Sequence, residues 1–207
     1  MPKTIVIAHH LVFTGYGHWL PNDPRGSGST EVRNSEIDAL GPRHLGRKRD
    51  QPPRSELRAF YRRAESELEH ETLWFEAPMR ETIALGIKNV AQSFCYTIWA
   101  CAVLRNHAHL LVRKHRDDYR VIWSRFAAES KELAHSALGV KRDHPFWSDR
   151  PYDVFLYSPE EVWSRIDYIN ENPVKEGLPP QRWSFVVPYD NWPLHKKWQG
   201  VPRPRKR

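Results

Sequence analysis

Hydrophobic and polar positions divide the chain into strand-like and helical stretches. Residues 4–14, TIVIAHHLVFT, are apolar and β-branched and predict a first strand. His9 and His10 lie inside it on opposite faces; adjacent histidines cannot share a metal from one strand face, so they read as structural or DNA-facing. Gly15, Gly17, Pro21, Pro24, Gly26 and Gly28 then break the pattern and predict an ordered loop followed by a flexible one. His18, Asp23 and Arg25 fall in this loop, with nothing in their spacing that demands a site. Leu57, Phe60, Tyr61, Ala64 and Leu68 recur at helical spacing over Ser55 to Glu71, and Pro78 opens a second helix running to about Gln92. Ser93 to Leu104 predicts a long strand, Arg105 and Asn106 a tight turn, and Leu104 to Val112 its antiparallel partner. Asp117 is placed to cap a helix that Gly139 ends. A short strand, DVFLY at 153–157, leads to a final helix opened by Ser158, Pro159 and Glu161 in a capping box. Pro173 is expected to stop that helix by Asn172.

The element pattern calls for α+β structure. At 207 residues the chain fits one globular domain, taken here as residues 1–192, with a polar basic insertion at about 26–56 and a basic tail at 193–207. Lysine and arginine outnumber aspartate and glutamate by 32 to 25, a net charge of +7, and nine tryptophans and eight tyrosines accompany them. Cationic side chains attract phosphate and aromatic faces stack on unpaired bases, although a merely soluble basic protein has the same composition. The two cysteines, Cys95 and Cys101, fall in one predicted strand, about 20 Å apart and beyond disulfide reach. No apolar run approaches the roughly 20 residues that span a bilayer, so the expectation is a reducing cytoplasm and no membrane.

The chemistry concentrates in LRNHAHLLV, residues 104–112. On a strand, His107 and His109 share a face with Cα atoms roughly 6 to 7 Å apart, so both imidazoles can converge on one metal ion with open positions. A further ligand must come from elsewhere. On the wheel of the last helix, Val162, Ile166 and Ile169 form a core-facing stripe, while Tyr168 lies about 120° from its centre and Asn172 about 80° away on the same flank. A tyrosine so placed is either functional or an ordinary surface residue. If functional, the Asn172 carbonyl supplies the oxygen ligand, phosphate oxygens take the remaining positions, and the Tyr168 phenol attacks the phosphate in line.

NHAHLLV resembles the His-hydrophobe-His signature of HUH endonucleases. RIDYINENPVKEGL, with FWSDR upstream and a tryptophan downstream, resembles the tyrosine helix of REP-associated tyrosine transposases, in the single-tyrosine transposase superfamily. The resemblance covers the first strand and roughly residues 78–192. It implies an antiparallel sheet of four or five strands with flanking helices, the ferredoxin-like or RRM-like HUH core. It also implies Tyr168 as nucleophile, His107, His109 and Asn172 as metal ligands, and Mg2+ or Mn2+ as cofactor. The implied activity is cutting and rejoining single-stranded DNA at palindromic REP-like hairpins through a 5′-phosphotyrosine, in a bacterial, nucleoid-associated protein. Candidate DNA-binding residues are Arg105, Arg150, Lys175, Arg203, Arg205, Lys206 and Arg207. A monomer is expected, with a dimer exchanging tyrosine helices as the alternative. The competing reading is a catalytically silent protein that binds DNA or RNA hairpins. Two features depart from the pattern: Ala108 is smaller than the usual valine or isoleucine, and segment 26–56 has no counterpart in compact members.

Overall fold

A computed structural model describes residues 5–26, 40, 46, 48–148 and 151–193. Most of the predicted insertion, and Arg150, Arg203, Arg205, Lys206 and Arg207, lie outside the described residues. The elements run β1 (Ala8–Thr14), α1 (Arg54–Glu67), α2 (Ala77–Phe94), β2 (Ile98–Val103), β3 (His107–Arg113), α3 (Tyr119–Leu138), β4 (Tyr152–Leu156) and α4 (Pro159–Lys175). The strands form one four-stranded antiparallel sheet in the order β2-β3-β1-β4. β1 and β3 are neighbours although almost a hundred residues of chain separate them, and β4 pairs on the other side of β1, with Ala8 opposite Leu156 and His10 opposite Val154.

The chain divides into two compact units. One comprises residues 1–13, 75–142 and 150–207 and holds the sheet. In it α4 lays Val162, Ile166 and Ile169 against Ala8, Ala100, Ala102, Leu111 and Leu156, so this helix covers the face to which the even-numbered residues of β1 and the odd-numbered residues of β3 point. Full burial of each large aliphatic side chain contributes about 1.5 to 3 kcal/mol. α2 and α3 pack against each other, so closely that a Cβ on Gly86 would stand 2.8 Å from the Ser130 Cα. Phe13 meets Phe126 edge-on. β2 lies at one edge of the sheet, and the segment after α4 runs beside it. The Gln181 side-chain amide donates to the Val103 carbonyl at 2.7 Å and accepts from its N–H at 2.8 Å, and Val187 N–H donates to the Ile98 carbonyl at 2.9 Å.

The second unit comprises residues 14–74 and 143–149. Its centre is a small cluster of Leu20, Leu40, Phe60 and Ala64, with Tyr61 and Leu68 packed on it. The fully buried Asp23 carboxylate accepts from Arg25 at 2.6 Å and from the Tyr61 hydroxyl at 2.6 Å, and the Arg25 guanidinium stacks 3.7 Å over Trp19. Asp23 and Arg25 are thus satisfied by each other and by Tyr61, which orders the GYGHWLPNDPRG loop.

Several boundaries differ from the sequence expectation, among them the end of α1, at Glu67 rather than Glu71. α2 runs to Phe94, and Cys95 caps it in the left-handed region at φ 56°, so only Cys101 belongs to β2. Asp118, rather than Asp117, caps α3, accepting from Arg120 N–H. α4 does not stop at Asn172 but continues through Pro173 to Lys175. Gly177 N–H donates to the Val174 carbonyl at 3.0 Å and Leu178 N–H to the Pro173 carbonyl at 2.8 Å, with Gly177 at φ 69°. Those paired bonds form a Schellman ending, so the stop signal is Gly177 with apolar Leu178 behind it. Pro173 sits buried in the last turn.

Candidate functional site

Strand alternation places His107 and His109 on the sheet face that α4 covers, while Ala108, 1% exposed, points to the opposite face. His107 is half-buried and His109 is 5% exposed. Their Nε2 atoms stand 3.1 Å apart, so the two nitrogens converge on one point. Because β1 neighbours β3, His10 reaches the same place: its Nε2 lies 2.9 Å from His109 Nδ1, and the two rings stack with centroids 5.1 Å apart. Asn106, on the hairpin turn, closes the other end, its Oδ1 2.7 Å from His107 Nδ1.

These contacts make a directional chain. Asn106 Oδ1 accepts from His107 Nδ1–H, which leaves His107 Nε2 as an acceptor for His109 Nε2–H, and His109 Nδ1 then accepts from His10 Nε2–H. Burial, reinforced by the Arg165 and His107 charges, pulls His10 down to about 3; burial and the neighbouring His107, His10 and Arg165 hold His109 well below the ordinary imidazole value. Both rings are therefore neutral at pH 7 and carry lone pairs.

α4 brings Tyr168 over this chain. Its ring meets His109 edge-on at 5.6 Å and His10 at 6.2 Å, and the tyrosine remains 42% exposed. The Arg165 guanidinium lies 5.5 Å and the Lys175 ammonium 5.9 Å from the Tyr168 ring centroid. Lys175 also pairs with Glu171 at 3.1 Å. Asn172 follows Tyr168 by one helical turn; its Nδ2 is buried without a hydrogen-bond partner. Arg105, on the β2–β3 turn, donates to the Glu176 carbonyl at 2.7 Å, tying that turn to the end of α4.

The structure thus gathers Tyr168, His107, His109 and Lys175, with Asn172 on the same helical flank and Arg105 at the adjoining turn. Sequence reasoning missed Asn106, Arg165 and the position of His10. Among these, Arg165 was accessible in principle, since it lies three residues before Tyr168 on one helical face. His9 faces the other side of the sheet, 1% exposed, 3.6 Å from Asp153 and stacked on Tyr119. Among the described residues no group of three or more His, Cys, Asp or Glu side chains is arranged to hold a metal ion, and no helix is long and apolar enough to cross a membrane.

No family model and no curated protein matches the chain. Among the solved structures similar to it are two transposases. A REP-associated tyrosine transposase bound to a REP hairpin aligns at 15% identity with a TM-score of 0.45, over 86% of this chain and 74% of the other. A candidate transposase from Deinococcus radiodurans aligns at 10% identity with a TM-score of 0.39, over 83% of this chain and 94% of the other.

Proposed function

We propose that the chain is a metal-dependent single-tyrosine transposase that cuts and rejoins single-stranded DNA at hairpin sites. The observation that carries this reading is the seating of an exposed tyrosine, flanked by two cations, over the neutral, buried His10 and His109. The motif pair NHAHLLV and RIDYINENPVKEGL supports it from the sequence side.

In this mechanism the Tyr168 oxygen attacks the phosphorus of a phosphodiester and the P–O3′ bond breaks. The phenol proton ends on the departing 3′ oxygen, leaving a 5′-phosphotyrosine and a free 3′-hydroxyl. Arg165 and Lys175 lower the energy of the phenolate and of the charge that builds on the phosphoryl oxygens. The residues present suit a hard divalent cation. His107 and His109 bring their Nε2 atoms to one point and, with the His109 proton moved from Nε2 to Nδ1, both would offer lone pairs there; turning the Asn172 amide over would put its carbonyl oxygen at the buried position that has no hydrogen-bond partner. Mg2+ or Mn2+ held there supplies Lewis-acid polarisation of the phosphoryl oxygen. Reversal of the attack by a 3′-hydroxyl rejoins strands, because the phosphotyrosine conserves the phosphodiester bond energy.

The test is incubation with a single-stranded hairpin library and Mn2+, followed by a denaturing gel. Wild type is expected to give a covalent protein–DNA adduct and Tyr168→Phe none, with hairpin binding retained. An adduct that persists in the variant, or none in wild type, overturns the reading; tight binding without an adduct favours a silent hairpin-binding protein.

A further inference from the structure

A cavity of about 710 Å³ opens at the far end of β3 from His107. It is lined by the end of α2, the start of β2, the β3–α3 loop and Arg125 of α3. Five of its side chains are ionisable nitrogen bases, Arg113, Lys114, His115, Arg116 and Arg125, against the single carboxylate of Asp117. That carboxylate is already occupied: it accepts from the Tyr96 hydroxyl at 2.7 Å and from Arg125 at 2.6 Å, and faces His115 at 3.4 Å. Lys114 and Arg116 have no ion-pair partner among the described residues, and the Arg113 guanidinium rests 4.2 Å over the Trp192 ring.

The loop that carries them is fixed. Arg113 N–H donates to the Thr97 carbonyl at 3.0 Å, Lys114 N–H to the Ile7 carbonyl at 2.8 Å, and His115 Nδ1 accepts from Asp117 N–H at 3.1 Å. Lys114 and Arg116, on the ordered loop that follows β3, together with Arg113 at the strand end, set a positive potential in this concave space. Basic residues that follow one another along the chain suit successive phosphates better than a single anion. Phe94, 41% exposed, stands beside them with the Arg125 guanidinium 3.8 Å over its ring and the Tyr96 ring stacked on it at 5.9 Å, so the flat surface here is a guanidinium plane layered on aromatic rings. Phosphates joined to planar rings match that combination, because a base can stack on a guanidinium plane, whereas a simple anion leaves that surface unused.

We propose that this cavity is a second strand-binding site, which takes the phosphodiester backbone of single-stranded nucleic acid on Lys114 and Arg116 with a base against the Arg125 guanidinium layered on Phe94. The choice of a single strand rests on the nucleic-acid reading given above; the cavity itself is separate from the Tyr168 site. It holds the strand at a point the chemistry does not touch, so that cut ends remain attached to the protein.

Cys95 provides a local reporter, because it lines the cavity and is exposed while Cys101 is buried. The full chain is treated with iodoacetamide with and without a saturating oligothymidylate, and alkylation at each cysteine is followed by peptide mass spectrometry. Bound strand is expected to slow Cys95 alkylation at least fivefold, and inorganic phosphate at the same phosphate concentration to leave it unchanged. Equal protection by phosphate reassigns the cavity to a small anion and overturns the strand proposal. In a parallel salt titration, Lys114→Gln with Arg116→Gln is expected to lower the slope of log affinity against log salt by about 1.4, at about 0.7 per phosphate contact. The control pair Lys141→Gln with Arg142→Gln, outside the cavity, should leave the slope within error. An unprotected Cys95, or equal slope changes in both pairs, overturns the proposal. A Tyr168 adduct with an unprotected Cys95 sinks only the cavity; protection without an adduct sinks only the strand-transfer chemistry.

Discussion

His10 shows how a single side chain can matter to a site without touching substrate. If His107 and His109 both turn Nε2 lone pairs towards a cation, the His109 proton must sit on Nδ1, where His10 Nε2, 2.9 Å away, is the available acceptor. A partner behind a metal-binding histidine fixes both its tautomer and its ring orientation. His10→Phe is accordingly expected to weaken Mn2+ binding by 10- to 100-fold by calorimetry, and His10→Gln, whose amide oxygen accepts the same hydrogen bond, to retain most of the affinity. Unchanged affinity in the phenylalanine variant would show that packing alone orients His109. The depressed His10 value has a separate effect on the metal-free protein. Unfolded, the imidazole titrates near 6.5; folded, near 3, so stability is full above 6.5 and declines as the pH falls towards 3. At pH 5 this group alone costs about 2 kcal/mol, and urea unfolding of His10→Gln should show a correspondingly smaller loss between pH 7 and pH 5. None of this was legible in the sequence. The parity of HAH announces that two histidines share a face, but whether His10 joins them depends on which strand lies beside β3, which local pattern does not encode.

Among the elements, α4 was the most and the least legible. Its capping box and apolar stripe located its start and its buried face, and Ile169 is fully buried while Tyr168, off the stripe, is exposed. Its end was misplaced because Pro173 was weighed as a breaker; in the last turn the missing N–H removes only one bond, and the Gly177 ending satisfies the carbonyls that follow. The consequence reaches the site, since the extra turn carries Lys175 to within 5.9 Å of the Tyr168 ring. The α2–α3 pair left a fainter mark. Gly86 looks like a helix-weakening residue until the Ser130 backbone is seen pressed against it. Gly86→Ala should raise helix propensity yet destabilise the protein by about 1 to 3 kcal/mol through overpacking, read as a lower urea midpoint. A raised midpoint would mean that the two helices can separate freely.

Over the whole molecule, the antiparallel sheet with flanking helices was anticipated through the resemblance to the HUH core; the order of elements by itself reached only one antiparallel hairpin between helical stretches, because strand neighbours distant in sequence leave no local mark. The division into two compact units was not anticipated: the second unit coheres through Asp23, Arg25 and Tyr61, which are far apart in pattern terms and meet only after folding. The +7 charge is likewise a property of the ensemble of side chains, and nucleic-acid affinity at low salt is expected to exceed what either site supplies. The segment that lies along β2 carries a different consequence. Every residue of that edge strand is buried, and Gln181 and Val187 occupy backbone groups at its two ends, Val103 and Ile98. A chain ending at Leu178 would present them as a template for pairing with another copy. Such a truncation is expected to fail by self-association rather than by loss of secondary structure, visible as concentration-dependent light scattering with an intact far-ultraviolet spectrum. The last fifteen described residues are in that sense a built-in guard against aggregation.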